Sequence, residues 1–335
     1  MDELITLNQG SGGLLTHQLI RELFQKDFGI AEPLTESAIC DSGGGTIAFT
    51  TDSYVVDPLF FPGGNIGKLA VCGTVNDLAV SGAVPKWLSA SFIIEEGFPL
   101  KDLAAIVESM AEEAGKAGVR IITGDTKVVE KGKCDKLFIT TSGTGIIDPS
   151  REHIGRGTRI MKGDRLIING PVGNHSLAVL GARNQMSFST SVVSDCASLN
   201  GLTESILTGC RQVNFMRDLT RGGLASVLNE LAGMIGKGIV VDESSVPVDE
   251  PVRGICEMLG FDPLYLANEG KVLVVAGNDE AKKVLEIMRS HPLGSDAAII
   301  GEIEDSGRPL VTLNTSIGGK RILDMLSGLQ LPRIC

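Results

Sequence analysis

The stretch IGKLAVCGTVNDLAVSGA (66–83) sets its apolar residues at helical spacing and places one carboxylate, Asp77, between Val75 and the apolar run Leu78–Val80. A charge flanked in this way is costly to bury unless it is paired or bound to metal. Any fold that packs this helix must therefore supply Asp77 with a partner. Two runs rich in β-branched and aromatic residues, TIAFTTDSYVV (46–56) and DKLFITTSGTGII (135–147), predict strands beside it. LKDLAAIVESMAEEAGKAG (100–118) predicts a second helix, closed by Gly118 and leading into VRIITGDTK, a strand followed by a turn.

The pattern repeats further on. A second unit starts at MKGDRLIINGPVG (161–173), with helices at GGLASVLNELAGMIG (222–236) and EAKKVLEIMRSH (280–291) and a strand at GKVLVVAG (270–277). At 335 residues the chain is long for one core. The expectation is an α+β protein of two α/β domains, 1–155 and 156–322, with the boundary in the polar DPSREHIGRGTR. Beyond 322 the chain is too short for a further element, so 323–335 is expected to be a mobile tail.

A net charge of −11 argues against a nucleic-acid partner, which needs a basic footprint. No basic segment followed by an apolar one opens the sequence, and no apolar run approaches membrane-spanning length, so a cytoplasmic protein is expected. The seven cysteines include no CxxC pair, which disfavours a zinc site or disulfide framework. The six internal ones read as small core hydrophobes. Glycine is abundant, at 42 residues, while aromatics are scarce, at 4 %; this favours sites lined by backbone over stacking platforms.

Three constellations could carry chemistry. In NQGSGG (8–13), Gly10, Ser11, Gly12 and Gly13 would let backbone N–H groups approach an anion, although a plain turn fits equally. Asp41, Asp52, Asp77 and Asp125 each sit at a strand end or inside an apolar helix, which suits Mg²⁺ with phosphate; singly, Asp41 and Asp125 fit caps or turn formers as well. In the second half, RDLTRGGL offers Thr220, Arg221 and a glycine pair before a helix, and ANEGK offers Glu269, which could also be a solvated loop charge.

NQGSGG, TTDSYVVDPLFFPGGNIGKLAVCGTVNDLAVSGA, TGDTKVV, DLTRGG, ANEGK and the final PRIC together resemble the HypE family of hydrogenase maturation proteins, from about residue 5 to Cys335. TTD, NDLA and GDT alone are shared with aminoimidazole ribonucleotide synthetase, selenophosphate synthetase and thiamine-monophosphate kinase. The resemblance implies a PurM-like fold: N-terminal domains pair in a homodimer as a shared β-barrel, ATP binds near that interface, and an α/β sandwich forms the C-terminal domain. It implies that a carbamoyltransferase, HypF, loads Cys335 with a carboxamide, which ATP-dependent dehydration turns into a thiocyanate. The cyano group then passes to iron on a HypC–HypD complex. By position the four aspartates match Mg²⁺-ATP residues, and the 10–13 loop, Asn76, Thr220 and Arg221 would hold the nucleotide. Glu269 would be the base or carboxamide orienter, and Lys127 a charge stabiliser.

DSGGG at 41–45 departs from the Asp-Asp-Ala-Ala of many superfamily members. The reactive cysteine or selenocysteine of selenophosphate synthetase has no counterpart in the glycine loop, which argues against selenium chemistry. A thiol loaded on one protein and processed on another must travel. Ten or so extended residues reach at most roughly 35 Å, and Pro332 keeps the segment from continuing as helix. The competing readings are another ATP enzyme that ignores Cys335 and a carrier that consumes no ATP.

Overall fold

The computed structural model describes residues 5–28, 30, 35–183, 191–326, 328 and 331–335. Helix α1 (Leu14–Leu19), a π-helical turn (Ile20–Gln25) and α2 (Lys26–Phe28) precede the hairpin of β1 (Ala38–Asp41) and β2 (Thr46–Tyr54). The short β3 (Phe60–Phe61) and β4 (Gly64–Asn65) lead into α3 (Ile66–Val80), followed by β5 (Ala83–Glu95), α4 (Leu100–Ala117), β6 (Arg120–Val129) and β7 (Leu137–Ile147). These strands form a five-stranded sheet ordered β1-β2-β7-β5-β6, antiparallel except for the β5–β6 pair that α4 connects.

Helix α3 is the 66–83 stretch. The Asn65 side chain caps it by accepting the N–H groups of Gly67 and Lys68, at 2.9 and 3.0 Å. Every α3 residue except Lys68 is buried. The helix lies against the sheet so closely that a Cβ on Gly73 would stand 2.2 Å from the Tyr54 hydroxyl. On the sheet's other face apolar side chains remain uncovered, with Phe49 47 %, Trp87 44 % and Ile93 44 % exposed. The turn expected after VRIITG is absent. Gly124 lets β6 run on beside β5, where any Cβ would meet the Ala90 carbonyl oxygen at 2.1 Å.

The second half contains β8 (Arg165–Ile168), α5 (Asn174–Gly181), α6 (Asn200–Gly209), β9 (Val213–Asp218), α7 (Gly223–Ile235) and β10 (Gly238–Asp242). It continues with α8 (Glu250–Leu259), β11 (Val272–Ala276), α9 (Ala281–Arg289), β12 (Ala298–Glu304), β13 (Val311–Asn314) and β14 (Lys320–Ile322). Their seven-stranded sheet runs β14-β13-β10-β12-β8-β11-β9. Its interior strand β11 is buried along its whole length, because helices cover both faces and leave no polar side to alternate with.

The expectation of six buried internal cysteines needs correcting, and the chain's last residues are seated. Ile334 is 5 % exposed within the first domain's core, and Leu331 packs beside it. Burial of these apolar side chains holds the segment down. All seven cysteines are free thiols, but Cys40 is exposed at a strand edge and Cys134 is half-buried, so only Cys72, Cys196, Cys210 and Cys256 are core hydrophobes. Among the described residues no helix is long and apolar enough to cross a membrane.

Candidate functional site

The partner problem posed by Asp77 is met by gathering more carboxylates. Asp77 from α3, Asp218 from the end of β9 and Glu36, just ahead of β1, present ligand oxygens within 4.8 Å of one another. The Thr50 hydroxyl donates to Asp77 Oδ2 at 2.8 Å. Burial, then repulsion from Asp52, drives the Asp77 carboxyl well above the usual range. Burial, then Glu36, does the same to Asp218, while Glu36 itself is raised by burial against the opposing pull of Arg217. Arg217 bridges Glu36 and Glu230, and Glu230 also meets His17 Nε2 at 2.9 Å. One Asp218 oxygen, Oδ1, is buried with no hydrogen-bond partner among the described residues. An all-oxygen cluster with an orphaned acceptor fits a hard divalent cation such as Mg²⁺.

Glu269 sits between the two domains, 3 % exposed. Burial, then Asp218 and Asp195, pushes its carboxyl well above the usual range. Its backbone is fixed from below: Asp195 accepts the N–H groups of Glu269 and Gly270 at 3.2 Å each and pairs with Lys271 at 3.1 Å. Asn76 completes the clamp. Its amide donates to the carbonyls of Ala197 and Glu269, and its oxygen accepts Leu199 N–H at 2.7 Å. Asn76 is 2 % exposed, and these bonds tie α3 to the Glu269 turn.

The final residues approach the same place. Residues 333–335 run in antiparallel sense beside 55–57, with Val55 N–H donating to Cys335 O and Asp57 N–H to Arg333 O, both at 3.2 Å. Cys335, Arg221, Gly10, Ser11, Gly222 and Tyr265 share the lining of a cavity of about 100 Å³. Burial pushes the Cys335 thiol up to about 12; Arg221 pulls against this, and Glu269 and Asp52 add to it. The glycine loop lines the cavity with Gly10 and Ser11 and packs tightly behind it: Gly12 takes φ +76° with its Cβ position 3.0 Å from Arg221 Cβ, and a Cβ on Gly13 would stand 2.2 Å from Leu326 O. Its amides are engaged locally, Gly12 N–H with Thr16 Oγ1 and Gly13 N–H with Ser11 Oγ.

Of the sequence-derived set, the fold brings Asp52, Asp77, Glu269, Arg221, Cys335 and the 10–13 loop together, with Thr220 at the turn into α7. It does not bring Asp41, Asp125 or Lys127 to the cluster within this chain. Asp41 is exposed and closes a turn on Gly43 N–H. Asp125 and Lys127 pair with each other at 2.7 Å on the exposed edge strand β6. The sequence reading missed Glu36, Asp218, Asp195 and His175. Asp218 carried the signal used for the others, an aspartate ending an apolar strand, inside the RDLTRGGL already singled out; Glu36 had none.

Known proteins match this architecture along its whole length. The AIR synthase related protein N-terminal domain family matches residues 35–147 and its C-terminal domain family residues 161–314. The carbamoyl dehydratase HypE of Rhodobacter capsulatus is 50 % identical over 100 % of this chain and 99 % of its own. A crystal structure described as a HypE-HypF complex superposes with a TM-score of 0.86 at 50 % identity, covering 92 % of this chain and 99 % of that one. Another, of HypE in complex with ATP, gives 0.83 at 45 % identity, covering 98 % of each chain. The chain belongs to the HypE family of AIR synthase related proteins.

Proposed function

We propose that this chain is an ATP-dependent carbamoyl dehydratase whose substrate is an S-carboxamide carried on its own Cys335. The reaction takes R–S–C(=O)–NH₂ and ATP to R–S–C≡N, ADP and phosphate. The carboxamide oxygen accepts the γ-phosphoryl group, the nitrogen gives up its protons, and the oxygen leaves within phosphate. The observation that carries the reading is the seat of Cys335 in a cavity shared with Arg221, beside Glu269 and Asp52. A thiol pushed up to about 12 is a poor nucleophile. It suits a site that processes a group already attached to sulfur.

Glu269 would take a nitrogen proton, a role supported by the burial and two neighbouring aspartates that make its carboxylate a stronger base than a solvated one. Arg221 would counter charge gathering on the carboxamide oxygen. Glu36, Asp77 and Asp218, with Asp52 beside them, would hold Mg²⁺, which neutralises phosphate charge when bound. The uncovered apolar face of the first sheet supports a homodimer. In such a pair Asp125 and Lys127, exposed on β6, become available to the partner's site. HypF as the carbamoyl donor is supported by the related HypE-HypF complex. HypC–HypD as acceptor and a cytoplasmic setting complete the reading.

Intact mass spectrometry of the S-carbamoylated chain with and without Mg-ATP tests it. The C-terminal peptide should lose one water only when Mg-ATP is present, and not in Glu269→Gln. Persistence of the carboxamide under saturating Mg-ATP would overturn the proposal.

A further inference from the structure

Residues 331–335 make a dense set of contacts with the rest of the fold. Arg183 clamps both sides of the groove: its Nε donates to Asp57 O at 2.9 Å and its NH2 to the carbonyls of Pro332 and Arg333. His175, buried, donates from Nε2 to Ile334 O at 2.9 Å. Together with the two bonds from the 55–57 backbone, these read the main chain, as happens when a peptide adds to a sheet edge. The side chains are read separately. Arg333 pairs with Asp135, donates from Nε to Val55 O at 2.8 Å and lies over the Phe138 ring. Ile334 enters the core, and Leu331 packs against two of the clusters.

Arg333 also holds φ +52°, a left-handed backbone that is unfavourable for a residue bearing a side chain. The groove pays that cost through bonds on both sides of the residue. A segment placed there only by tethering would settle into an easier conformation. We infer that residues 54–57, Asp135, His175 and Arg183 form a sequence-selective binding site for the peptide Leu-Pro-Arg-Ile-Cys, which accepts that segment from a separate molecule as well as from the chain's own end. The covalent linkage to the rest of the chain then contributes effective concentration, of order mM for a short linker. This deepens the proposed function by naming how the carboxamide-bearing segment is recognised. It rests on that reading for its purpose only; binding is measured without ATP and with an unmodified thiol, so the two can fail separately.

The test uses the full chain with Arg333→Glu and Ile334→Asp, which unseat its own end, and a fluorescein-labelled Gly-Leu-Gln-Leu-Pro-Arg-Ile-Cys peptide followed by anisotropy. Saturable binding is expected, roughly tenfold tighter than for Gly-Leu-Gln-Leu-Pro-Ile-Arg-Cys and weakened roughly tenfold on adding Asp135→Ala, as befits a charge-assisted bond. The unsubstituted chain should bind the peptide at least about tenfold more weakly, its groove being occupied. Absence of saturation, or equal binding of both peptides, overturns the inference. A second measurement needs no unseated variant. Asp135→Arg in the otherwise native chain should speed iodoacetamide labelling of Cys335 roughly tenfold, and Arg333→Glu added to it should restore slow labelling. An unchanged rate in Asp135→Arg counts against the site equally.

Discussion

Nε2 of His175 lies 2.9 Å from the carbonyl oxygen of Ile334, so a buried ring reports whether the last residues are in place. A carbonyl only accepts, hence Nε2 carries the proton. Nδ1 then takes the Ser194 hydroxyl at 2.8 Å, and Ser194 Oγ accepts Cys196 N–H at 3.1 Å. The chain of bonds is complete only with a neutral imidazole, and burial lowers the His175 pKa accordingly, against opposing pulls from Asp195 and the Ile334 carbonyl.

A lowered pKa fixes the sign of the pH response. The stability that neutral His175 contributes is full above the ordinary histidine value of about 6.5 and is lost as pH falls through the lower folded value. Urea denaturation at about pH 7.5 and about pH 5.5 should show an acid-side loss that His175→Gln removes, its amide still being able to donate to Ile334. Equal pH dependence of the two proteins would dismiss this role.

Thiol reactivity should separate Cys335 from Cys40. Cys40 is exposed, whereas Cys335 is half-buried with its thiol pushed up to about 12. Iodoacetamide reacts with thiolate, so at about pH 8 Cys335 should label at least ~10-fold more slowly than Cys40. Ile334→Gly, which removes the apolar anchor, should bring the two rates together. Peptide mapping by mass spectrometry reads both sites in one experiment, and fast labelling of Cys335 in the unaltered chain would contradict the seated geometry.

How far the sequence could be read depended on how local each signal was. Helix α3 and the burden of Asp77 were legible because the run of apolar residues and the charge within it are contiguous. Strand β6 was cut short because Gly124 read as a turn, when the glycine is there to let Ala90's carbonyl approach. Glu36 and Asp218 stand 182 positions apart in the numbering and meet only through the packing of two sheets, so no spacing in the chain could pair them. The seated end was missed for the same reason. Proline and the short remaining length spoke for freedom, while the groove that holds it is assembled from residues near 55, 135, 175 and 183.

The Asp195–Lys271 pair should matter more than a surface ion pair does. Their side chains are 5 % and 11 % exposed, and Asp195 also receives the backbone of the Glu269 turn. Lys271→Met strands a buried carboxylate and is expected to cost about 3–5 kcal/mol, measured by urea denaturation. Adding Asp195→Asn should recover part of that loss, since the stranded charge disappears. Additive losses in the double variant would show that the pairing is not what the pair contributes.

The carboxylate cluster predicts opposite pH trends with and without a divalent cation. Burial raises Asp77, Asp218 and Glu36 together. A carboxyl raised above its unfolded value contributes stability that is full below the unfolded pKa and is lost as pH rises through the folded one. Metal-free protein should therefore lose stability from these three groups as pH rises from about 5 towards 8, where each must ionise against the others. Mg²⁺ would offset that repulsion, so the increase in Tm on adding it should grow with pH; at one hundred times the dissociation constant binding contributes about 2.7 kcal/mol. Asp218→Asn removes one of the three charges. It should raise the Tm of the metal-free protein by a few degrees near pH 8, about 1 kcal/mol, while abolishing the Mg²⁺-dependent increase. Differential scanning calorimetry across that range, with and without Mg²⁺, decides the matter, and a variant that is less stable than the parent in the absence of metal would show that the cluster is not repulsive.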